Sequence, residues 1–266
     1  MSRGPGAIDP APRAPRPTRN PSLRPSVRPS DPMNPLDGSS AARMPRPLVF
    51  LNAVVLAAIL LSSIEPHDRL TWLMEIAPLA FVLPLLWLTW KPFPLTTVLY
   101  LGIAIQCVGL VAGAAYTFPR VPLGQWLVEA FDLARNPYDR IGHFVQGFVP
   151  ALAVRELFVR RTNLRSRYLL PFLTVCVVMT FSATYELVEW MAAVTVGAGA
   201  EDFLGMQGDP WDAQADMACA LVGAICMLVA LPRFHDRQIQ RLAASTPRAQ
   251  ATPAGRGLSS QRPQGR

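Results

Sequence analysis

Ionisable side chains lie inside otherwise apolar stretches of this sequence. An unneutralised charge in such a stretch is energetically costly, so these residues are candidates for a functional or a structural role. Asp139 and His143 are four residues apart, so a helix would present both on one face. A carboxylate and an imidazole on one face are the groups used for proton transfer or for holding a cation. The other ionisable residues with comparable helical spacing are Arg140, Glu186, Glu189, Asp212 and Asp216.

Three of these carboxylates lie too deep in their apolar stretches to cap a helix: Glu186, Glu189 and Asp216. A charged carboxylate within a membrane span costs roughly 2.5–3.5 kcal/mol on insertion scales. They must therefore share protons, bind a cation, or pair with Arg140 and His143. We interpret His143, Glu186, Glu189 and Asp216 as catalytic candidates, with His143 as general base or ligand.

A divalent cation would explain how several carboxylates tolerate one another. The predicted ligands are His143, Glu186 and Asp216, a set of hard oxygens with one imidazole that suits magnesium, manganese or zinc. Asp139, Arg140 and Asp212 are predicted to contact a substrate. Asp139 and Asp212 would equally favour the positive end of a helix, and Arg140 would equally anchor a helix at the membrane interface.

Composition assigns the chain to the membrane proteins. Of its 266 residues, 51% are hydrophobic and only 16% are charged, whereas soluble domains carry about 25% charged residues. The net charge of +7 is concentrated in the two tails and one loop, with no basic patch on a folded aromatic face. The sequence therefore predicts contact with a lipid bilayer and no nucleic-acid partner, and it leaves protein partners open.

The hydropathy pattern predicts an all-α, polytopic transmembrane helix bundle in residues 47–232, with six spans. Residues 1–46 hold eight arginines and eleven prolines and are predicted to be disordered, as is the basic tail 233–266. The predicted spans are 48–64, 72–90, 95–116, 138–159, 169–196 and 212–231.

Residues 117–135 differ from the spans. Leu123, Trp126, Leu127 and Phe131 recur at helical spacing, with polar residues between them. This pattern predicts an amphipathic helix that lies in the interface just before the fourth span.

The distribution of arginine and lysine predicts the orientation. Placing both tails in the cytoplasm also places Lys91 and the basic loop 160–167 there, in accordance with the positive-inside rule. The fourth and sixth spans then enter from outside and the fifth leaves toward it. All the candidate site residues consequently lie near the outer surface.

Three motifs resemble the YjdF family of bacterial inner membrane proteins. They are Tyr138-Asp-Arg-Ile-Gly-His-Phe-Val-Gln-Gly147, Ala183-Thr-Tyr-Glu-Leu-Val-Glu-Trp190 and Gly208-Asp-Pro-Trp-Asp-Ala-Gln-Ala-Asp-Met217. The resemblance covers roughly residues 48–235. It implies a multi-pass protein of the bacterial inner membrane whose biochemical function is not established.

A more distant similarity is to VanZ-like membrane proteins. Asp139, Arg140, His143 and Phe144 correspond to a motif of that family that precedes a helix, and Asp216 to part of a later one. Ala220 replaces the asparagine of the later motif. The similarity suggests a role in the cell envelope.

Three hypotheses of function remain open on the sequence. The first is a metal-assisted enzyme that modifies a lipid or an envelope precursor. The second is a small proton-coupled transporter, although the polar residues crowd one end of the spans. The third is a structural or accessory protein in which the polar residues lock three helices together.

Overall fold

The structure is a computed structural model, and it describes residues 44–162, 164–196 and 205–245. Within those ranges the regular secondary structure is helical and no strand occurs. The predicted all-α class is therefore confirmed. The predicted disorder of residues 1–43 and 246–266 lies outside the described residues.

The helices follow one another through short connections. A 3₁₀ turn, Phe118–Arg120, separates α4 from α5. The helices are α1 (Arg46–Ser62), α2 (Arg69–Ile76), α3 (Leu79–Thr89), α4 (Thr97–Tyr116), α5 (Pro122–Phe131), α6 (Tyr138–Arg161), α7 (Leu169–Val196), α8 (Asp212–Ala230) and α9 (Pro232–Ser245).

Four helical segments of the described chain are long and apolar enough to cross a membrane. They are Arg69–Thr89, Thr97–Tyr116, Leu169–Thr195 and Asp212–Ala230, while α1 is apolar but shorter, with 17 residues. Helix α6 has 24 residues but carries several charges. Length and composition thus support four of the six predicted spans, and the other two stay predictions.

The second predicted span is two helices rather than one. Helix α2 ends at Ile76 and α3 begins at Leu79, with Pro78 between them. Proline has no N–H to donate and its ring crowds the preceding turn, so it interrupts a helix. The short α2 brings Glu75 into the protein interior, where it is 2% exposed.

Helices α6 and α8 pack so closely that their backbones are in direct contact. A Cβ atom added to Gly147 would overlap the backbone of Ala220, and one added to Gly223 would overlap the backbone of Phe144. Small residues at a helix interface permit such close packing in membranes. This contact sets the relative depth of the two helices that carry the candidate site.

Two apolar cores flank this contact. One joins α1, α3 and α4, and its buried members include Leu48, Leu51, Val55, Leu79, Leu86 and Tyr100. The other joins α4, α6, α7 and α8, and it comprises Leu99, Val149, Ala151, Leu152, Val178, Ala224 and Met227. The second core lies along the middle of α6, between the polar residues at its two ends.

The helix predicted within residues 117–135 is shorter than the pattern suggests. Helix α5 begins at Pro122 and ends at Phe131, because Asp132 adopts a left-handed conformation with φ 51°. Leu123, Trp126 and Phe131 are exposed. An exposed apolar face is what an interfacial helix presents to lipid, and its location in the interface stays a prediction.

The C-terminal tail was predicted to be disordered from residue 233, and this is wrong for residues 233–245. Helix α9 occupies this segment, and His235 and Ile239 on it are buried. The composition of the segment is polar and basic, which led to the prediction of disorder, although the segment is strongly amphipathic as a helix. A tertiary contact holds its buried face, since Nε2 of His235 bonds to the buried carboxylate of Glu156.

Candidate functional site

Three helices bring their ionisable residues to one end of the bundle. Asp139 and His143 lie in the first two turns of α6, Asp216 lies in the second turn of α8, and Glu186 lies ten residues before the end of α7. Asp139, His143 and Asp216 are buried. One potential ligand atom from each residue lies within 4.8 Å of those of the other two. We refer to Asp139, His143, Glu186 and Asp216 as the acid–histidine cluster.

Both ring nitrogens of His143 face carboxylates. Nε2 lies 3.5 Å from Oδ1 of Asp139, and Nδ1 lies 3.6 Å from Oε1 of Glu186. A neutral imidazole carries one N–H, so it satisfies one of these carboxylates and turns a lone pair toward the other. The arrangement therefore suits an imidazolium, or a neutral ring that binds a cation through one nitrogen.

The cluster contains polar atoms that are buried without a hydrogen-bond partner: Nδ1 of His143, Oε1 of Glu186 and Oδ1 of Asp216. Leaving such an atom unpaired costs about 1–3 kcal/mol, more for a charged group. These atoms belong to the three residues that the sequence pattern predicts as metal ligands. They come from α6, α7 and α8, one residue from each helix.

Glu189 lies one turn further along α7 and is partly buried. Its carboxylate interacts electrostatically with those of Glu186, Asp139 and Asp216. It makes no hydrogen bond and no ion pair among the described residues. Of the four residues predicted to be catalytic, Glu189 is thus a neighbour of the cluster rather than a contact of His143.

Arg140 and Asp212 take part in a separate set of ion pairs. Nη2 of Arg140 lies 2.7 Å from Asp209, and Nη1 of Arg135 lies 2.6 Å from Asp212. Arg140 is also 3.5 Å from Asp212, so the four charges connect the start of α6 to the start of α8. These partners favour the interpretation of Arg140 and Asp212 as residues that hold the helix ends together. Their predicted contact with a substrate stays a prediction.

The starts of α6 and α8 share one local geometry. Oδ1 of Asn136 accepts a hydrogen bond from the Tyr138 N–H, and Oδ1 of Asp209 accepts one from the Trp211 N–H. In both cases the side chain bonds the backbone two residues on, across a proline. The Trp211 N–H, aided by the Arg140 guanidinium, holds the pKa of Asp209 below its ordinary value. The two helices therefore present their second-turn residues, His143 and Asp216, in matching positions.

Sequence reasoning missed several residues near the cluster. Glu75 on α2 is buried and interacts electrostatically with Asp139 and His143. The ring of Tyr185 meets the ring of His143 edge-on, with centroids 6.3 Å apart. Oγ of Ser182, one turn before Glu186, is also buried without a partner. Glu75 had a signal, because it is the one acid within the apolar stretch 72–90.

A second buried polar network lies at the opposite end of α6. Glu156 is fully buried and accepts hydrogen bonds from Oγ1 of Thr96 at 2.7 Å and from Nη1 of Arg160 at 2.5 Å. Nε2 of His235 lies 3.0 Å from the same carboxylate, and Arg155 contacts Nδ1 of His235 at 3.2 Å. We call Thr96, Arg155, Glu156, Arg160 and His235 the Glu156 network.

The partners of His235 determine its protonation. Arginine only donates hydrogen bonds, so Nδ1 of His235 must accept from Arg155, and Nε2 must carry the proton that goes to Glu156. His235 is therefore neutral and fully satisfied, unlike His143. The buried polar groups of Glu156 and His235 all have hydrogen-bond partners, as expected of a structural element. The acid–histidine cluster contains buried polar atoms that have none.

Comparisons with known proteins agree with a membrane location. The family described as "Predicted membrane protein (DUF2238)" matches residues 47–237. The inner membrane protein YjdF of Escherichia coli (strain K12) is 47% identical over 203 residues, which cover 76% of this chain and 97% of the relative. No solved structure matches the chain significantly. The resemblance to the YjdF family is thus confirmed, and the similarity to VanZ-like proteins stays a prediction.

Proposed function

The chain belongs to the DUF2238 family of predicted membrane proteins, and from this premise we propose a metal-assisted activity at one face of the bacterial inner membrane. Its target would be a lipid or a cell-envelope precursor. One observation carries the proposal: His143, Glu186 and Asp216, from three helices, each bury a polar atom that has no hydrogen-bond partner.

The proposed topology has six crossings: α1, the α2–α3 pair, α4, α6, α7 and α8. Helix α6 is the least apolar of them, yet Asp139, His143, Arg155 and Glu156 on it are all buried. Polar residues of a membrane helix face the bundle interior, so this burial supports a crossing despite the charge. Its 24 residues reach about 36 Å at 1.5 Å per residue, enough for a hydrocarbon core of about 30 Å.

The orientation that we propose places both termini in the cytoplasm. Lys91, Arg160, Arg161, Arg165 and Arg167 then lie on the cytoplasmic side, which agrees with the positive-inside rule. The acid–histidine cluster belongs to the opposite end of α6. It would therefore face the outer side of the inner membrane.

The proposed cation would be held by Nδ1 of His143 and by carboxylate oxygens of Glu186 and Asp216. Asp139 would accept the N–H of Nε2 and so orient the ring, as a carboxylate commonly does behind a metal-bound histidine. Asp139 also offers an oxygen within 4.8 Å of ligand atoms of His143 and Asp216, so it is the alternative third ligand. A doubly charged cation would also offset the mutual repulsion of these buried carboxylates.

Such a cation acts as a Lewis acid toward a phosphoryl or carbonyl oxygen. Glu189 carries no ion pair among the described residues and lies near the cluster, so we assign it to proton transfer. The cluster lies toward one end of the bundle, with Asp139 and His143 in the first two turns of α6, so we place it in the outer part of the membrane. This depth favours an amphiphilic substrate whose reactive group is at the interface.

Metal analysis of the purified, detergent-solubilised full chain tests the proposal. We expect about one equivalent of Mg²⁺, Mn²⁺ or Zn²⁺ to bind to the wild type, and strongly weakened binding in Asp216→Ala. Glu129→Gln is the matched control, because Glu129 is an exposed carboxylate on α5. Absence of any bound metal in the wild type after incubation with each cation would overturn the proposal.

The alternatives give different results in further measurements. A proton-coupled transporter would show substrate uptake into proteoliposomes that disappears with Glu186→Gln. The apolar core around Val149 and Leu152, between the two polar ends of α6, gives no support to a continuous proton path. A purely structural cluster would lose stability in Asp216→Ala without having bound a metal.

A further inference from the structure

A cavity of about 680 Å³ lies at the end of the bundle opposite the acid–histidine cluster. Its walls come from the last turns of α6, the loop that follows, the start of α7, and α9. The lining residues are Arg155, Val159, Arg160, Leu164, Arg165, Leu170, Asp236, Ile239, Gln240, Leu242 and Ala243. The site proposed above uses none of them.

The polar half of the lining is positively charged. Three arginines line it, of which Arg160 pairs with Glu156 and Arg155 pairs with Asp236. Nη2 of Arg155 lies 2.8 Å from Asp236, whose side chain remains 45% exposed. Arg165 is exposed and makes no ion pair with any described residue. The cavity therefore offers uncompensated positive charge to an anion.

Two of the arginines are held in place before any ligand arrives. Arg155 is buried between His235 and Asp236, and Arg160 donates through Nη1 to the Pro94 carbonyl at 2.6 Å and to Glu156. The Arg160 guanidinium also stacks on the ring of Phe93, 3.8 Å from its centroid. A fixed guanidinium loses little side-chain entropy when it binds a phosphate oxygen.

The remaining lining is apolar and continues toward the surface of α7. Leu164, Leu170 and Ile239 belong to the cavity wall. A ligand that fits both halves has an anionic head and an apolar tail. Basic pockets between membrane helices on the cytoplasmic side bind anionic lipid head groups in this way.

We propose that this cavity binds the phosphate group of an anionic phospholipid. Arg165 and Arg160 contact the phosphate, and the acyl chains lie along the start of α7. The proposal is independent of the metal site, because it involves other residues at the other end of the bundle.

Native mass spectrometry of the purified full chain tests this proposal, with phosphatidylglycerol, phosphatidylcholine and inorganic phosphate as probes. We expect wild-type protein to retain phosphatidylglycerol in preference to phosphatidylcholine. Arg165→Gln should weaken binding of phosphatidylglycerol by about fivefold, corresponding to roughly 1 kcal/mol for one basic residue near an anionic lipid.

Arg167→Gln is the matched control. Arg167 is exposed in the same loop and lies over the ring of Tyr168, outside the cavity lining. An equal loss in Arg167→Gln and Arg165→Gln would reveal general surface charge and overturn the proposal. Equal retention of the two lipids would also overturn the proposal. Displacement of phosphatidylglycerol by millimolar inorganic phosphate would overturn it as well, because it would identify a free anion as the ligand.

Discussion

Nδ1 of His143 lies 3.6 Å from Oε1 of Glu186, and both atoms are buried without a hydrogen-bond partner. The residues come from α6 and α7, 43 positions apart in the chain. If a cation bridges them, its removal should lower the stability of the folded protein, because the buried groups are then left without a partner. If they only meet as an imidazolium and a carboxylate, a chelator should have no effect.

Chelation is therefore predicted to lower the thermal stability of the wild type. A ligand present at 100 times its Kd stabilises the folded state by about 2.7 kcal/mol, and a chelator removes that contribution. Glu186→Gln should make stability much less sensitive to chelator, because one ligand is lost. Thermal unfolding in detergent with and without EDTA measures both effects. Identical sensitivity of wild type and Glu186→Gln would contradict a role for Glu186 as ligand.

Replacement of Gly147 is predicted to disturb the cluster from a distance. Gly147→Ala places a methyl group against the backbone of Ala220, which cannot move aside as a side chain would. Overpacking of this kind costs about 1–3 kcal/mol. Gly109→Ala on α4 is the control, since the nearest atom to an added Cβ is 3.8 Å away. Melting temperatures of the two variants should differ clearly, and equal values would argue against the close α6–α8 contact.

The buried Glu156 carboxylate is predicted to stabilise the fold and to hold Arg160 at the cavity wall. Glu156→Gln removes the buried charge that pairs with Arg160 and turns one of the two acceptor oxygens into an N–H donor. Breaking a buried pair by removing one partner costs about 3–5 kcal/mol. Asp236→Asn should have a much smaller effect, because that side chain is 45% exposed.

Limited proteolysis provides a second measurement for this network. We expect Glu156→Gln to detach α9 and to expose the segment Pro232–Ser245 to protease. The remaining oxygen stays with the Arg160 donor, and the amide nitrogen that replaces Oε2 cannot accept a hydrogen bond from His235. Asp236→Asn should leave the segment protected. A protected α9 in Glu156→Gln would show that other contacts hold it.

The ion pair between Arg140 and Asp209 is predicted to weaken in acid. The pKa of Asp209 is lowered in the folded protein, so the stabilising effect is present above the ordinary aspartate pKa of 3.8 and is lost as pH falls through the lower folded value. Asp209→Asn should remove this pH dependence. Protection of the backbone near Trp211, followed by hydrogen exchange between pH 5 and pH 3, measures it. An unchanged pH profile in Asp209→Asn would exclude this carboxylate as the cause.

One sequence was enough to predict the all-α class and to mark the ionisable residues that lie inside apolar stretches. Apolar stretches of about 20 residues specify helices in a membrane because backbone polar groups must be satisfied within the segment. His143, Glu186 and Asp216 stood out because charge inside such stretches is costly. Hydropathy and spacing are local properties, so one sequence sufficed to detect them.

Which of these residues meet is a property of the folded chain. Glu75 is buried and interacts electrostatically with Asp139 and His143, and Arg140 pairs with Asp209 while Asp139 faces His143. Helix α9 folds because Glu156, 79 positions earlier, accepts a hydrogen bond from His235. Which residues meet depends on contacts between distant segments of the chain. The spacing of apolar residues within one segment does not give the free energy of such contacts.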